Sequence, residues 1–141
     1  PTCARLGRPW RALADDVALV VRRGSGDYLA HPWPTWSRFM FGGPGGSWEV
    51  TRSVALAAVV VLVKSPRDDL GRLGRGHAAG LLVEASEQSW RGLERDSSGE
   101  RRAARRRQRF ANLCELAASV PSFRLDVSLA GDPGRLLARA T

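Results

Sequence analysis

Cysteine and long apolar runs are both scarce in this 141-residue chain. Its two cysteines, Cys3 and Cys114, lie far apart and lack metal-ligand spacing, which excludes a disulfide framework and a zinc cluster. The longest apolar run, Val54 to Val63, has ten residues, about half of what a membrane-spanning helix needs. The first residues also lack the pattern of a signal peptide. These absences predict a cytoplasmic protein with no membrane partner.

Lysine is nearly absent as well, because Lys64 is the only one and arginine supplies the rest of the 22 basic residues. The formal net charge is +8, and a basic chain attracts phosphate and nucleic acid. A strong preference for Arg, with abundant Ala and Gly, is also typical of a GC-rich coding sequence. The charge therefore leaves a genome bias and an anionic partner as equal explanations.

Methionine occurs once, at Met40, and the chain begins with Pro1. We therefore expect that the chain has been processed or is part of a longer protein. A composition of 43% hydrophobic and 26% charged residues excludes a wholly disordered chain. The length suits a single domain over residues 1–141.

Hydrophobic patterning predicts an α/β chain with a mixed sheet flanked by helices. The apolar stretch before Arg22, the turn at residues 22–27 and the short strand Tyr28–Ala30 predict a hairpin. The run Val54–Val63 is apolar at ten consecutive positions. Such a run predicts a strand in the middle of a sheet that is covered on both faces.

The second half of the chain predicts two helices, a strand and a short helix. Helical spacing places the first helix at 76–93, and Ser and Glu at capping-box spacing open the second, at 97–119. Alternating apolar residues predict a strand at 123–129, and Asp132 followed by Pro133 predicts a terminal helix. The expected buried stripe of the second helix consists of Ala103, Phe110, Leu113, Cys114 and Ala117.

The acidic pair Asp15-Asp16 interrupts an apolar run from Leu13 to Val20. Adjacent residues of a strand point to opposite faces, so a strand through the pair would bury at least one carboxylate. We therefore predict that the strand ends at Ala14 and that the pair lies on a tight turn. Two carboxylates at a strand end suit a hard cation such as Mg²⁺ together with a general base. On spacing alone, a turn whose acids are merely solvated is the simpler explanation.

A wider pattern surrounds the pair, and it extends over residues 1–6, 10–20, 31–38, 42–48, 74–79, 109–114 and 120–125. It resembles the stretch after the P-loop in HPr kinase-like and phosphoenolpyruvate carboxykinase-like proteins, where a helix leads to a strand that ends in Asp-Asp. Over nearly its whole length the chain most resembles the HPr kinase-like member of the SynChlorMet cassette proteins. The aromatic segment His31-Pro32-Trp33-Pro34-Thr35-Trp36 is the most specific part of the resemblance.

The resemblance implies the post-P-loop portion of an ATP-dependent phosphotransferase or nucleotide-binding protein that serves a peptide-modification cassette. ATP and Mg²⁺ are the implied cofactors, a peptide or protein is the implied partner, and an oligomer is the implied assembly. Asp15 corresponds to the base, Asp16 to the Mg²⁺ partner and Thr2 to a residue beside the phosphates. A Gly-Lys-Ser/Thr loop is expected directly before residue 1, and such loops supply most of the phosphate contacts. The 141 residues alone are therefore expected to be inactive and to bind neither cofactor.

Two alternatives come from other classes of protein. A non-catalytic peptide-binding protein would use the aromatic segment, and its expected contacts are His31, Trp33, Trp36 and Arg38. A nucleic-acid-binding domain would use the arginines between Arg101 and Arg109. No recognised nucleic-acid module accompanies those arginines, so a solvated basic face explains them more simply.

Overall fold

The structure is a computed structural model that describes residue 10 and residues 12–14, 17–33, 51–90 and 99–139. The chain divides into two compact units, residues 1–56 and 57–141. Within the described ranges, each unit contains one three-stranded sheet, and the sheet of the second unit is mixed. The predicted α/β class is confirmed, whereas the single domain over residues 1–141 stays a prediction.

The predicted hairpin is the centre of the first unit. Strands β1 (Ala18–Arg22) and β2 (Tyr28–Pro32) are antiparallel neighbours. In the turn between them, the Arg23 N–H donates to the Asp27 carbonyl at 2.8 Å, and the Gly26 N–H donates to the Arg23 carbonyl at 3.0 Å. Gly26 has φ +91°, a left-handed conformation that glycine adopts without steric cost. Local turn chemistry thus sets the register of this hairpin.

The predicted strand that ends at Ala14 is wrong. Residues 12–14 are described and form no strand, and β1 begins at Ala18, after the acidic pair. Ala18 pairs with Pro32, which has no backbone N–H to continue the ladder. One further bond, from the Trp33 N–H to the Val17 carbonyl at 3.2 Å, closes the described end of the hairpin.

The apolar run Val54–Val63 forms two strands rather than one. Its first part, β3 (Val54–Ala55), pairs with β2 in the first unit, and its second part, β4 (Val59–Lys64), belongs to the second unit. Among the described strands β4 lies at an edge of its sheet, and Leu62 is 52% exposed. The predicted interior strand is therefore wrong. An uninterrupted apolar run carries no signal for the point at which the chain leaves one sheet and enters another.

The second sheet is built around β6 (Ser122–Val127), which is parallel to β4 and antiparallel to β5 (Asp69–Arg72). Leu125, in the middle of β6, has no exposed surface. The predicted strand at 123–129 is confirmed as far as Val127. Leu129 lies beyond it and is 98% exposed.

The described residues of the second unit form three helices: α1 (Arg75–Trp90), α2 (Gly99–Ser119) and α3 (Pro133–Leu137). Helix α1 contacts both α2 and β6, and α3 contacts β5 and β6. The positions of these helices agree with the predicted ones. No helix in the described ranges has the length and apolar character that a membrane span requires.

The buried stripe of α2 is shorter than predicted. Leu116 and Ala117 are its buried residues, whereas Phe110 is 58% exposed and Ala103 is exposed. Helical spacing identifies the apolar side of a helix, but it does not show how far along the helix its neighbours extend. The prediction is therefore correct at the C-terminal end of α2 and wrong for Ala103 and Phe110.

Hydrogen bonds to Asp68 hold the chain segment that follows β6. Its carboxylate accepts hydrogen bonds from the backbone N–H groups of Ser128 at 2.6 Å and Asp132 at 3.2 Å. The Asp132 side chain in turn caps α3, because it accepts from the N–H groups of Gly134 and Arg135 at 3.1 and 3.2 Å. The capping predicted from Asp132 and Pro133 is thus confirmed, and Asp68 adds a long-range tie to it.

The substitution Gly131→Ala is expected to destabilise the chain by about 1–2 kcal/mol. A Cβ at this position would overlap the Asp68 carboxylate, and displacing that carboxylate deprives two N–H groups of their charged acceptor. Urea unfolding measures the loss. In an Asp68→Ala background the same substitution should cost much less, because the overlap is gone. Equal costs in both backgrounds would contradict this account.

Candidate functional site

The described backbone brings the sequence neighbours of the acidic pair and of the aromatic segment together. Val17 directly follows Asp15-Asp16, and its carbonyl accepts the hydrogen bond from the N–H of Trp33. Trp33 in turn is the first residue after β2 and belongs to the aromatic segment. Asp15 and Asp16 themselves lie outside the described residues. The hairpin therefore joins the residue that follows the acidic pair to a residue of the aromatic segment.

The predicted peptide contacts His31 and Trp33 differ in their surroundings. His31 lies in β2, half-buried, opposite Leu19 in the register. Tyr28 and Ala30 are buried, so the alternation of the strand places His31 on its less buried face. Trp33 is 43% exposed. The other predicted site residues, Thr2, Trp36 and Arg38, lie outside the described ranges.

Strand β1 is an exposed edge strand, a feature that sequence patterning missed. In the order β1-β2-β3 one edge of β1 is unpaired among the described strands, and all five of its residues are exposed. Leu19, Val20 and Val21 are 44%, 38% and 41% exposed, so apolar groups face outward on both sides of the strand. An apolar run normally indicates burial. Its exposure here leaves a row of backbone donors and acceptors beside apolar side chains, which is a template for another strand.

The arginines of α2 do not form a free cationic surface. Arg101, Arg105, Arg106 and Arg107 are exposed, and Arg102 and Arg109 are half-buried. Four of the six (Arg102, Arg105, Arg106 and Arg109) take part in interactions within the chain. Residues that already interact within the chain are less available to a phosphate backbone. This arrangement favours a structural role over nucleic-acid binding.

An ion pair on the second sheet joins Arg124 to Asp126. The Arg124 Nη2 and Nε atoms donate to the Asp126 carboxylate at distances of 2.8 to 3.2 Å. This hydrogen bonding and the charge of Asp126 raise the pKa of Arg124 above its usual value, and the charge of Asp69 adds to the effect. Because the Arg124 side chain is 50% exposed, the pair is a surface feature of the strand.

Within the described ranges, no group of three or more His, Cys, Asp and Glu residues is arranged to hold a metal ion. That search does not extend to Asp15 and Asp16, which remain the predicted Mg²⁺ and base residues. Carboxylate oxygens are the ligands that Mg²⁺ prefers in proteins, so the chemistry of this pair fits the ion.

A hairpin preceded by an acidic pair, followed by a mixed sheet with flanking helices, defines an α/β protein with one candidate acidic site. The family model described as SynChlorMet cassette protein ScmC matches residues 1–135, and the chain belongs to that family. No curated protein and no solved structure matches the chain.

Proposed function

We propose that the chain is part of an HPr kinase-like, ATP-dependent phosphotransferase that acts in a SynChlorMet peptide-modification cassette. Membership of the ScmC family over residues 1–135 supports the cassette context. The observation that carries the proposal is the hydrogen bond from the Trp33 N–H to the carbonyl of Val17, the residue that follows Asp15-Asp16 in the sequence. In this proposal the residues follow a P-loop, the protein acts in the cytoplasm, and the acceptor is a peptide or protein.

The side chains of this segment have separate tasks in the proposed reaction. The Asp15 carboxylate accepts the proton of the acceptor hydroxyl as the phosphoryl group is transferred. The Asp16 carboxylate contributes oxygen ligands for Mg²⁺, and Thr2 lies beside the phosphates. When bound, ATP and Mg²⁺ supply the phosphoryl group and neutralise its charge. The chain itself supplies the base and one metal ligand, which together with a phosphate-binding loop are the minimum for this chemistry.

Asp16→Asn is expected to raise the Mg²⁺ concentration needed for half-maximal activity by about tenfold or more. The amide retains one oxygen but loses the negative charge, so the ion binds more weakly, and high Mg²⁺ restores most of the rate. The measurement is phosphoryl transfer from ATP against Mg²⁺ concentration, in a protein that carries a P-loop ahead of residue 1. Asp27→Asn is the matched control, because Asp27 is an exposed acid at the turn end of the same hairpin. An unchanged Mg²⁺ dependence for Asp16→Asn would contradict its role.

Peptide binding without catalysis is a second candidate function, and the exposed strand β1 favours it. An extended peptide that pairs with this edge would gain ladder hydrogen bonds and contacts with Leu19, Val20 and Val21. The aromatic residue Trp33 lies at the same end of the hairpin as Val17. The test uses a protein that carries a P-loop ahead of residue 1. If that protein binds a peptide but transfers no phosphoryl group to it, the result favours peptide binding over phosphoryl transfer.

A further inference from the structure

A cleft of about 600 Å³ lies in the second unit, where β5 leads into α1 and α2 leads into β6. Two chain segments line it, residues 72–75 and residues 117–122. Neither segment contains a residue of the acidic pair, the aromatic segment or β1. The volume is within the range of about 300–1,000 Å³ that is usual for small-ligand sites. The cleft is therefore a second candidate site with its own chemistry.

The charged residues that the described part of the chain contributes to the cleft are cationic. Arg72 and Arg75 line it, and no described Asp or Glu does. Both arginines are exposed, and no described residue forms an ion pair with either of them. A guanidinium group presents paired N–H donors that match the two oxygens of a carboxylate. Arg72 and Arg75 therefore suit an anionic group of a ligand.

The lining also contains apolar residues and the carbonyl groups at the end of α2. Leu73 and Pro121 supply apolar surface, and the last turn of α2 is part of the lining. Pro121 has no N–H, so it cannot donate to the carbonyl of Ala117, four residues before it. Carbonyl groups at a helix C-terminus carry partial negative charge and accept hydrogen bonds. The apolar residues suit an apolar group of a ligand, and the carbonyl groups suit an N–H donor.

These features discriminate between the two common biological anions. Two guanidinium groups pair with either a carboxylate or a phosphate, so the discrimination comes from the rest of the lining. A bare phosphate leaves the apolar lining residues without a partner. A peptide C-terminus combines one carboxylate, an amide N–H and a side chain, which are the three groups that the lining complements.

We propose that this cleft binds the free C-terminus of a peptide. Its carboxylate pairs with Arg72 and Arg75, its amide N–H donates to a carbonyl at the end of α2, and an apolar side chain packs against Leu73 and Pro121. The inference does not depend on the phosphotransferase proposal, because it uses no residue of the acidic pair. It concerns binding alone and involves no covalent step.

The test is a titration of the 141-residue chain with N-acetyl-alanyl-leucine, followed through the backbone amide signals of residues 73–76 and 117–120 by NMR. We expect saturable shifts for this acid and binding at least about tenfold weaker for the corresponding C-terminal amide, which lacks the charge. Arg72→Gln and Arg75→Gln should each weaken binding of the acid by about fivefold to tenfold. Arg67→Gln is the matched control, because Arg67 is an exposed arginine of the same unit outside the cleft, and binding should be unchanged.

Three outcomes would overturn the proposal. The first is the absence of saturable shifts with the acid. The second is saturable binding of pyrophosphate at these residues without binding of the acid, which would assign the cleft to phosphate. The third is equal weakening by Arg67→Gln, which would show that the overall positive charge attracts the probe. Because Arg72 and Arg75 are exposed, circular dichroism of both variants should match that of the unaltered chain.

Discussion

Replacing Asp15 with Asn is expected to lower the rate of phosphoryl transfer by about 10²- to 10⁴-fold, with the affinity for ATP nearly unchanged. The proposed base acts on the hydroxyl of the acceptor, so its loss is felt in the transition state rather than in nucleotide binding. Single-turnover transfer from ATP and a separate nucleotide titration measure the two quantities. Both require a protein in which a P-loop precedes these residues.

The controls for this prediction lie on the same hairpin. Asp27→Asn removes an exposed acid whose carboxylate accepts a local hydrogen bond from Ser25, at 2.9 Å, and should leave the rate unchanged. If Asp15 and Asp16 are only a solvated turn, substitution of either changes activity little and alters stability by no more than about 0.5 kcal/mol. Unaltered kinetics in both Asp15→Asn and Asp16→Asn would contradict the catalytic role of the pair. Peptide binding would then be the better candidate function.

Leu125→Ala is expected to lower the free energy of unfolding by about 2–5 kcal/mol. Leu125 has no exposed surface and lies in the central strand of the second sheet, so its truncation removes buried apolar area and leaves a cavity. Urea unfolding followed by circular dichroism measures the change. We expect the loss of stability in the unfolding of the second unit, because that unit contains the whole of β4, β5 and β6.

Leu62→Ala is the matched control for Leu125→Ala. Leu62 is the register partner of Leu125 on the neighbouring strand β4, but it is 52% exposed. The same chemical change should therefore cost less than about 1 kcal/mol. Similar losses for the two variants would show that Leu125 is not the centre of this core.

The excess of arginine illustrates how composition and structure bear on different questions. The net charge of +8 is consistent with an anionic partner. Most of the arginines of α2 nevertheless interact within the chain, and the cleft brings together only Arg72 and Arg75. Substitution of Arg72 or Arg75 is therefore a more specific test for anion binding than substitution of the arginines of α2.

Features that depend on neighbouring residues are predictable from the amino-acid sequence. The hairpin follows from a turn with Gly26 in a left-handed conformation, and α3 follows from Asp132 as N-cap with Pro133 in the first turn. Strand β6 follows from the alternation around Leu125. In the hairpin and in α3 the decisive hydrogen bonds join residues that are close in the chain, so local chemistry is sufficient to predict them. For β6 only the alternation is local, because its partner strands β4 and β5 lie far away in the sequence.

Which surfaces of these elements are buried depends on the fold as a whole. The run Val54–Val63 is divided between two sheets, β1 exposes the apolar side chains that patterning would bury, and α2 buries only the C-terminal part of its predicted stripe. The cleft is formed by segments 72–75 and 117–122, which are far apart in the sequence. An apolar residue is equally compatible with a core, an edge or an interface. Which of these it occupies depends on partners that no local pattern specifies.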